Sequence, residues 1–188
     1  MPTLYVIAGC NGAGKTTLSK NLLPEYLGVK EFVNADEIAR GLSPFNAEGV
    51  AFAAGRIMLE RIRELADEGA DFAIETTLAT KSYASLFRRL KTKGYKIFLL
   101  FVYLPDMQEA IKRVKQRVKN GGHNIPEDVI ERRYLRGIKN LTRIYLPLAD
   151  RWVVMDNSQE IATFISEQRE DKIIIRNAEI WQKIESYE

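Results

Sequence analysis

Near the start of the chain, Gly9-Cys10-Asn11-Gly12-Ala13-Gly14-Lys15-Thr16-Thr17 constrains the fold more than any other stretch. It satisfies G-x-x-x-x-G-K-[ST], the phosphate-binding loop, and it sits in the context that motif requires. Before it, Leu4-Tyr5-Val6-Ile7-Ala8 is a short apolar run of the kind that forms a buried parallel strand. After it, Leu18, Leu22 and Leu23 recur at helical spacing, which predicts a helix beginning near Lys15 or Thr16. The glycines let backbone N–H groups close around phosphate oxygens, and the helix N-terminus adds a favourable dipole. Lys15 is then expected at the β- and γ-phosphates and the Thr16 hydroxyl on Mg²⁺. Gly9, Asn11, Gly12, Ala13, Gly14 and Thr17 complete the expected cradle, and the chain is expected to bind ATP with Mg²⁺.

Apolar runs and helical periodicities alternate along most of the chain. Strands are expected over residues 4–8, 31–34, 71–77, 95–103 and 151–155, with the very apolar 95–103 near the middle of the sheet. Helices are expected over 50–66, with Ile57, Leu59, Ile62 and Leu65 on or near one face, and over 82–93, closed by Gly94. Further helices are expected over 107–119, from 127 to about 141, and around Trp181, with a short apolar run at Lys172-Ile173-Ile174-Ile175. Such alternation predicts an α/β fold of the P-loop NTPase, nucleoside-kinase-like type. It would have a five-stranded, mainly parallel sheet with helices on both faces. No repeat, low-complexity tract or linker interrupts it, so residues 1–188 read as one domain.

Parallel sheets of this type bind ligands at the carboxyl ends of their strands. The loop follows the first strand, Asp36 the second, Glu75 ends the third, and Asp156-Asn157 ends the fifth. Asp36, in Asn34-Ala35-Asp36, is the candidate base for a substrate hydroxyl attacking the γ-phosphate, with helix capping as the alternative. Glu75 is the candidate acid for Mg²⁺ or its water, or for a hydrogen bond to substrate. Thr76 and Arg40 are candidate substrate contacts, and Asn157 is a candidate nucleotide contact. From about 106 to 141 two basic helices flank Gly121-Gly122-His123, the form of a lid whose arginines would neutralise the transferring phosphoryl group. Arg113 and Arg117 lie one helical turn apart, as do Arg132 and Arg136.

Composition narrows the classes. A net charge of +3 suits anionic small molecules but does not call for nucleic acid, and the basic segment lacks interleaved aromatics. The single cysteine, Cys10, excludes an internal disulfide and fits a reducing cytoplasm. Neither a basic-then-apolar leader nor a run long enough for a bilayer is present, so a soluble, cytoplasmic protein without membrane contact is expected.

The loop together with Asn34-Ala35-Asp36, Ile74-Glu75-Thr76-Thr77 and Gly121-Gly122-His123-Asn124-Ile125-Pro126 resembles the zeta-toxin family of P-loop kinases, from residue 3 to about residue 158. Members of that family phosphorylate the 3′-hydroxyl of the amino sugar in UDP-N-acetylglucosamine and are held inactive by an antitoxin. The resemblance implies Lys15 and Thr16 as phosphate and Mg²⁺ residues, Asp36 as base and Glu75 as the substrate- or metal-side acid. It implies Arg117 as one lid arginine, with Arg113 as the fallback. The family's second lid arginine corresponds to His123, expected as a hydrogen-bond donor on the substrate side; its imidazole is largely neutral near pH 7, and Arg132, Arg133 (also a candidate substrate contact) or Arg136 would then supply the charge. The expectation is an ATP-dependent kinase of a small-molecule hydroxyl, UDP-N-acetylglucosamine or a related sugar nucleotide leading, with an antitoxin as partner. The alternatives are a housekeeping kinase of another metabolite and an ATP-binding switch.

Overall fold

The computed structural model describes residues 1–122, 124–170 and 172–187. Seven described strands form one sheet in the order β2-β3-β1-β4-β5-β6-β7. The strands β1 (Thr3–Gly9), β2 (Glu31–Val33), β3 (Phe72–Thr76), β4 (Lys96–Tyr103) and β5 (Arg151–Asp156) are mutually parallel. They are the five that apolar runs predict, with β4 at the centre. The sheet continues past them: β6 (Thr163–Arg169) and β7 (Lys172–Ile175) add an antiparallel hairpin to β5. Sequence reading missed β6 because Ser166-Glu167-Gln168-Arg169 looks like a solvated turn. Glu167 is nonetheless only 2% exposed. Arg169 and Arg176 bind its carboxylate at 2.8 and 2.9 Å, and this pairing is what lets a charged residue occupy a strand interior.

Alternation along β1 sorts the two faces. Leu4, Val6 and Ala8 point into the larger core, beneath α3 (Ala51–Glu68), α4 (Ser82–Thr92), α5 (Met107–Lys119), α6 (Glu127–Asn140) and α7 (Ala178–Glu185). Ile7 points to a smaller core closed by α1 (Lys15–Asn21) and the π-type turn Leu22–Tyr26. The buried stripe of α3 is Ala54, Met58, Ile62 and Leu65, spaced by four, four and three residues. Ile62 and Leu65 match expectation, but Ile57 and Leu59 are 41% and 43% exposed and lie on other sides of the helix. Gly69, at φ +67°, closes α3 in the left-handed conformation that glycine adopts without strain.

The two basic helices expected to form a lid both pack on the core: α5 buries Ala110, Ile111 and Val114, and α6 adds two hydrogen bonds. Tyr134 donates a 2.7 Å hydrogen bond to the Leu104 carbonyl, and Asn140 donates one of 2.8 Å to the carbonyl of Leu78. Among the described residues no helix is long and apolar enough to cross a membrane.

Candidate active site

Parallel register assembles the site. Glu75 lies level with Ile7, two residues before the loop begins, and Val33 lies level with Ile74. The ends of β1, β2 and β3 therefore deliver the loop, Asn34-Ala35-Asp36 and Glu75 to one edge of the sheet.

Within the loop Gly12 and Gly14 take φ +82° and +90°, conformations that side-chain-bearing residues adopt only with strain. A Cβ on Gly12 would lie 2.6 Å from the carbonyl oxygen of Ala110, so the loop runs hard against α5. The Lys15 ammonium, only 6% exposed as a residue, donates to the Cys10 carbonyl at 2.9 Å and lies 3.7 Å from Glu75 Oε1. Thr16 Oγ1 donates to Glu75 Oε2 at 2.8 Å. Burial raises the Glu75 pKa above its ordinary value; Lys15 and Thr16 oppose the shift, while Asp36 and Glu37 add to it. Burial likewise pushes the Cys10 thiol up to about 11 against the pull of Lys15, so Cys10 stays a thiol near neutral pH.

Asp36 occupies the first turn of α2 (Ala35–Leu42). Asn34 is the cap: its Oδ1 accepts from the N–H groups of Asp36 at 2.9 Å and Glu37 at 3.4 Å. The capping role that Asp36 could have filled belongs to Asn34, and the Asp36 carboxylate is left to face the cleft. It borders three cavities at once. One, of about 280 Å³, holds Lys15, Thr16, Glu75, Arg40 and Arg117. A second, of about 190 Å³, holds Thr76, Thr77, Tyr83 and Arg133, and a third, of about 350 Å³, is lined by α2 on one side and by Val129, Arg132 and Arg133 of α6 on the other.

The expected arginines separate by environment. Burial pulls the Arg117 pKa below the usual arginine value, the negative charge of Asp36 raises it, Arg40 lowers it and Glu75 raises it. Arg113 borders the same cleft, but its guanidinium is engaged by the protein. It donates to Glu109 at 3.0 Å and to the carbonyls of Asn157 and Ser158 at 2.8 and 3.0 Å. The Asn157 amide in turn donates to the Ala13 carbonyl at 2.8 Å. Arg113 and Asn157, both expected as nucleotide contacts, are linked to each other and to the loop through these bonds; Arg113 also lines the cleft, and Asn157 is not among the residues that line it. Arg40 is paired with Glu37 at 3.0 Å. Thr76 Oγ1 accepts from the Leu78 N–H at 3.1 Å, supporting the positive φ of Leu78. The expectation for His123 lies outside the described residues.

Tyr83 is the residue that sequence reading missed. It stands in the first turn of α4, lines the cavity beside Asp36, and donates to Met58 Sδ at 3.6 Å, a weak acceptor. In the sequence it is one of two aromatics on an amphipathic helix, with Phe87, and nothing local marks it.

Residues 1–169 match the model of the family described as zeta toxin. The chain belongs to the zeta-toxin family. An uncharacterised protein of Haemophilus influenzae is 29% identical over 126 residues, covering 67% of this chain and 88% of its own length. Among solved structures, the AvrRxo1-ORF1:AvrRxo1-ORF2 complex with sulphate ions superposes with a TM-score of 0.82 at 17% identity, over 100% of this chain and 65% of that one. The PezAT chromosomal toxin–antitoxin system of Streptococcus pneumoniae gives 0.69 at 18% identity, over 98% and 78%. A shikimate kinase from Acinetobacter baumannii gives 0.52 at 18%, over 85% of each chain. At these identities the structures establish the fold, a P-loop kinase fold. This zeta-toxin member spans just under two thirds of the AvrRxo1 chain.

Proposed function

We propose that this chain is a cytoplasmic ATP-dependent kinase that transfers the γ-phosphoryl group to a hydroxyl of a small molecule, with UDP-N-acetylglucosamine or a related sugar nucleotide as the leading acceptor. The observation that carries the reading is the position of Asp36. It borders both the loop cleft with Lys15 and Thr16 and the cavities leading away from the loop, where an acceptor would lie. Family membership and the crystallisation of AvrRxo1-ORF1:-ORF2 with ATP support the nucleotide.

The residues present fit ATP and Mg²⁺. Gly12 leaves no room for a side chain, Asn11 at the floor is 4% exposed with its Oδ1 unpartnered among the described residues, and a hydroxyl and a carboxylate meet at Thr16 and Glu75. Bound there, Mg²⁺·ATP would supply the phosphoryl group with part of its charge neutralised. The loop N–H groups and Lys15 would hold the β- and γ-phosphates, and Thr16 and Glu75 would hold the metal. Asp36 would orient the acceptor hydroxyl and take its proton, while Arg117 would offset charge gathering on the transferred group. Arg133, bordering both acceptor cavities, is the candidate for the second cationic contact, and residues 106–141 are the candidate lid. An antitoxin partner is proposed on family membership and on the toxin–antitoxin assembly of PezAT.

The test is transfer from γ-labelled ATP into UDP-N-acetylglucosamine, shikimate, common sugars and nucleosides. Label on the UDP-sugar that disappears in Asp36→Asn, with ATP binding retained, is the expected result. Label on another acceptor keeps the kinase and replaces the substrate; ATP binding with no transfer to any acceptor defeats the kinase reading in favour of a nucleotide-dependent switch.

A further inference from the structure

Between α3 and α4 runs a groove of about 860 Å³. One wall is a single helical stripe of α3: Phe52, Arg56, Leu59 and Arg63 follow at intervals of four, three and four residues. Arg89 of α4 faces it from the other wall. Phe52 is 84% exposed, so an aromatic surface lies open beside the guanidinium groups.

The arginines of this groove are not tied up in ion pairs among the described residues. Among the described residues no carboxylate lines it, and none forms an ion pair with Arg56, Arg63 or Arg89. The contrast with the same helix is direct: Arg61, off the stripe, is bound by Glu31 at 2.9 Å and Glu64 at 3.0 Å. Asp67, which feels the charge of Arg89, is ion-paired with Lys93 instead. Surface arginines ordinarily find acids when acids are near, and α3 carries several. A stripe from which they are excluded is complementary to an external anion, for which the guanidinium fork is the best-suited side chain.

The groove also continues the site already described. Ala35, Thr80 and Tyr83 line both it and the cavity holding Asp36 and Glu75. Tyr83 stands at the junction, its hydroxyl donating to the Met58 thioether, a weak acceptor, beside a hydrogen bond with the Thr76 side chain, so a substrate oxygen can compete for the proton given to sulfur.

We propose that the α3–α4 groove is a second chamber of the acceptor site, in which Arg56, Arg63 and Arg89 bind a phosphate or diphosphate group carried by the acceptor at a distance from the hydroxyl presented to Asp36, past Tyr83. The inference rests on the kinase reading for the identity of the occupant, but anion binding by the groove is measurable without it.

The experiment has two arms. In the first, pyrophosphate is titrated calorimetrically into protein whose loop is saturated with Mg²⁺ and a non-hydrolysable ATP analogue. Wild type binds it, and Arg56→Gln/Arg63→Gln binds about a hundredfold more weakly, at about tenfold per charge-assisted contact, with an unchanged melting temperature. Equal affinity in the two proteins, or no binding by wild type, overturns the proposal. So does an acidic peptide that occupies the groove while pyrophosphate does not, which would reassign it to a protein partner. In the second arm, kcat/KM is compared for N-acetylglucosamine, its 1-phosphate and its UDP derivative. The gain from added phosphate is expected to vanish in the double variant while the neutral sugar is unaffected. Transfer that is indifferent to the phosphate in wild type overturns the groove and leaves the kinase standing. Absence of transfer to every acceptor defeats the kinase reading, and the pyrophosphate arm still decides the groove.

Discussion

Asn34 offers a quantitative test of how Asp36 is held. Its Oδ1 accepts from two N–H groups, one at a good 2.9 Å and one at a long 3.4 Å, so one strong and one weak cap bond are lost in Asn34→Ala. Cap removals of this kind cost about 1 kcal/mol. In a chain of this size that lowers the melting temperature by about 2–4 °C. The larger effect falls on chemistry, because the first turn of α2 carries Asp36. Misplacing a reacting group by about 1 Å costs up to about a hundredfold in rate, so kcat should fall between about tenfold and that limit. ATP affinity should stay within about twofold, since the loop is untouched. Asn34→Ser, which restores a capping oxygen, should recover both melting temperature and most of kcat. The assays are thermal melts and steady-state kinetics with the best acceptor. A large loss of kcat with no change in melting temperature and no rescue by serine would refute the reasoning, because Asn34 would then be touching substrate directly.

Three further outcomes follow from the same geometry. Gly12→Ala must combine a φ of +82° with a Cβ 2.6 Å from an immobile backbone oxygen, so it should abolish detectable ATP binding and lower the melting temperature by several degrees; retained micromolar affinity would contradict the loop geometry. Asn157→Ala removes one bond to the Ala13 carbonyl, a net loss of about 0.5–1.5 kcal/mol, and should weaken ATP binding by about two- to tenfold in calorimetry, whereas an unchanged Kd would show that the loop needs no brace. Because burial raises the Glu75 pKa, the carboxylate proposed to hold the metal is protonated at a higher pH than an exposed glutamate would be. Mg²⁺-dependent ATP affinity should therefore decline on acidification from a point above the ordinary glutamate range. Subtracting the Glu75→Gln profile removes the titration of ATP itself, and two superimposable profiles would rule out Glu75 as the titrating ligand.

What could be seen in the sequence was whatever is contiguous. The loop is a run of adjacent residues whose backbone does the binding, so its motif and flanks suffice. The apolar runs of β1 and β4 announce themselves because a strand buried on both faces is apolar along most of its length, while β2, a three-residue edge strand, shows only as Phe32-Val33. That Asp36 and Glu75 border one cleft was legible through the rule that ligands bind at strand ends, which converts order along the chain into proximity. What stayed hidden depends on partners distant in sequence. Glu167 makes β6 look like a turn because Arg176 approaches it only after the hairpin has formed. Arg113 shows in the sequence as a lid arginine one turn from Arg117, but its bonds to the carbonyls of Asn157 and Ser158, more than forty residues away, do not. Tyr83 acquires its meaning only where two cavities meet.

The distribution of charge follows from those partnerships. At the loop cleft Lys15, Arg40, Arg113 and Arg117 are set against Asp36 and Glu75, while Glu37 and Glu109 hold Arg40 and Arg113. Four cations thus face four carboxylates, and the protein supplies almost no net charge to a triphosphate there. Binding at that cleft must draw on directed N–H groups and on a divalent cation brought with the nucleotide, which is the arrangement a hydroxyl–carboxylate pair such as Thr16 and Glu75 is suited to receive. The α3–α4 groove is the opposite case. It has three guanidinium groups, no acid among the described residues, and no glycine loop or metal ligands to make up for a lack of net charge. An anion held there would be held by charge alone and would need no metal. The chain would then present two anion sites of different physical type, joined through the cavity where Asp36 stands, and only the first of them is written as a motif.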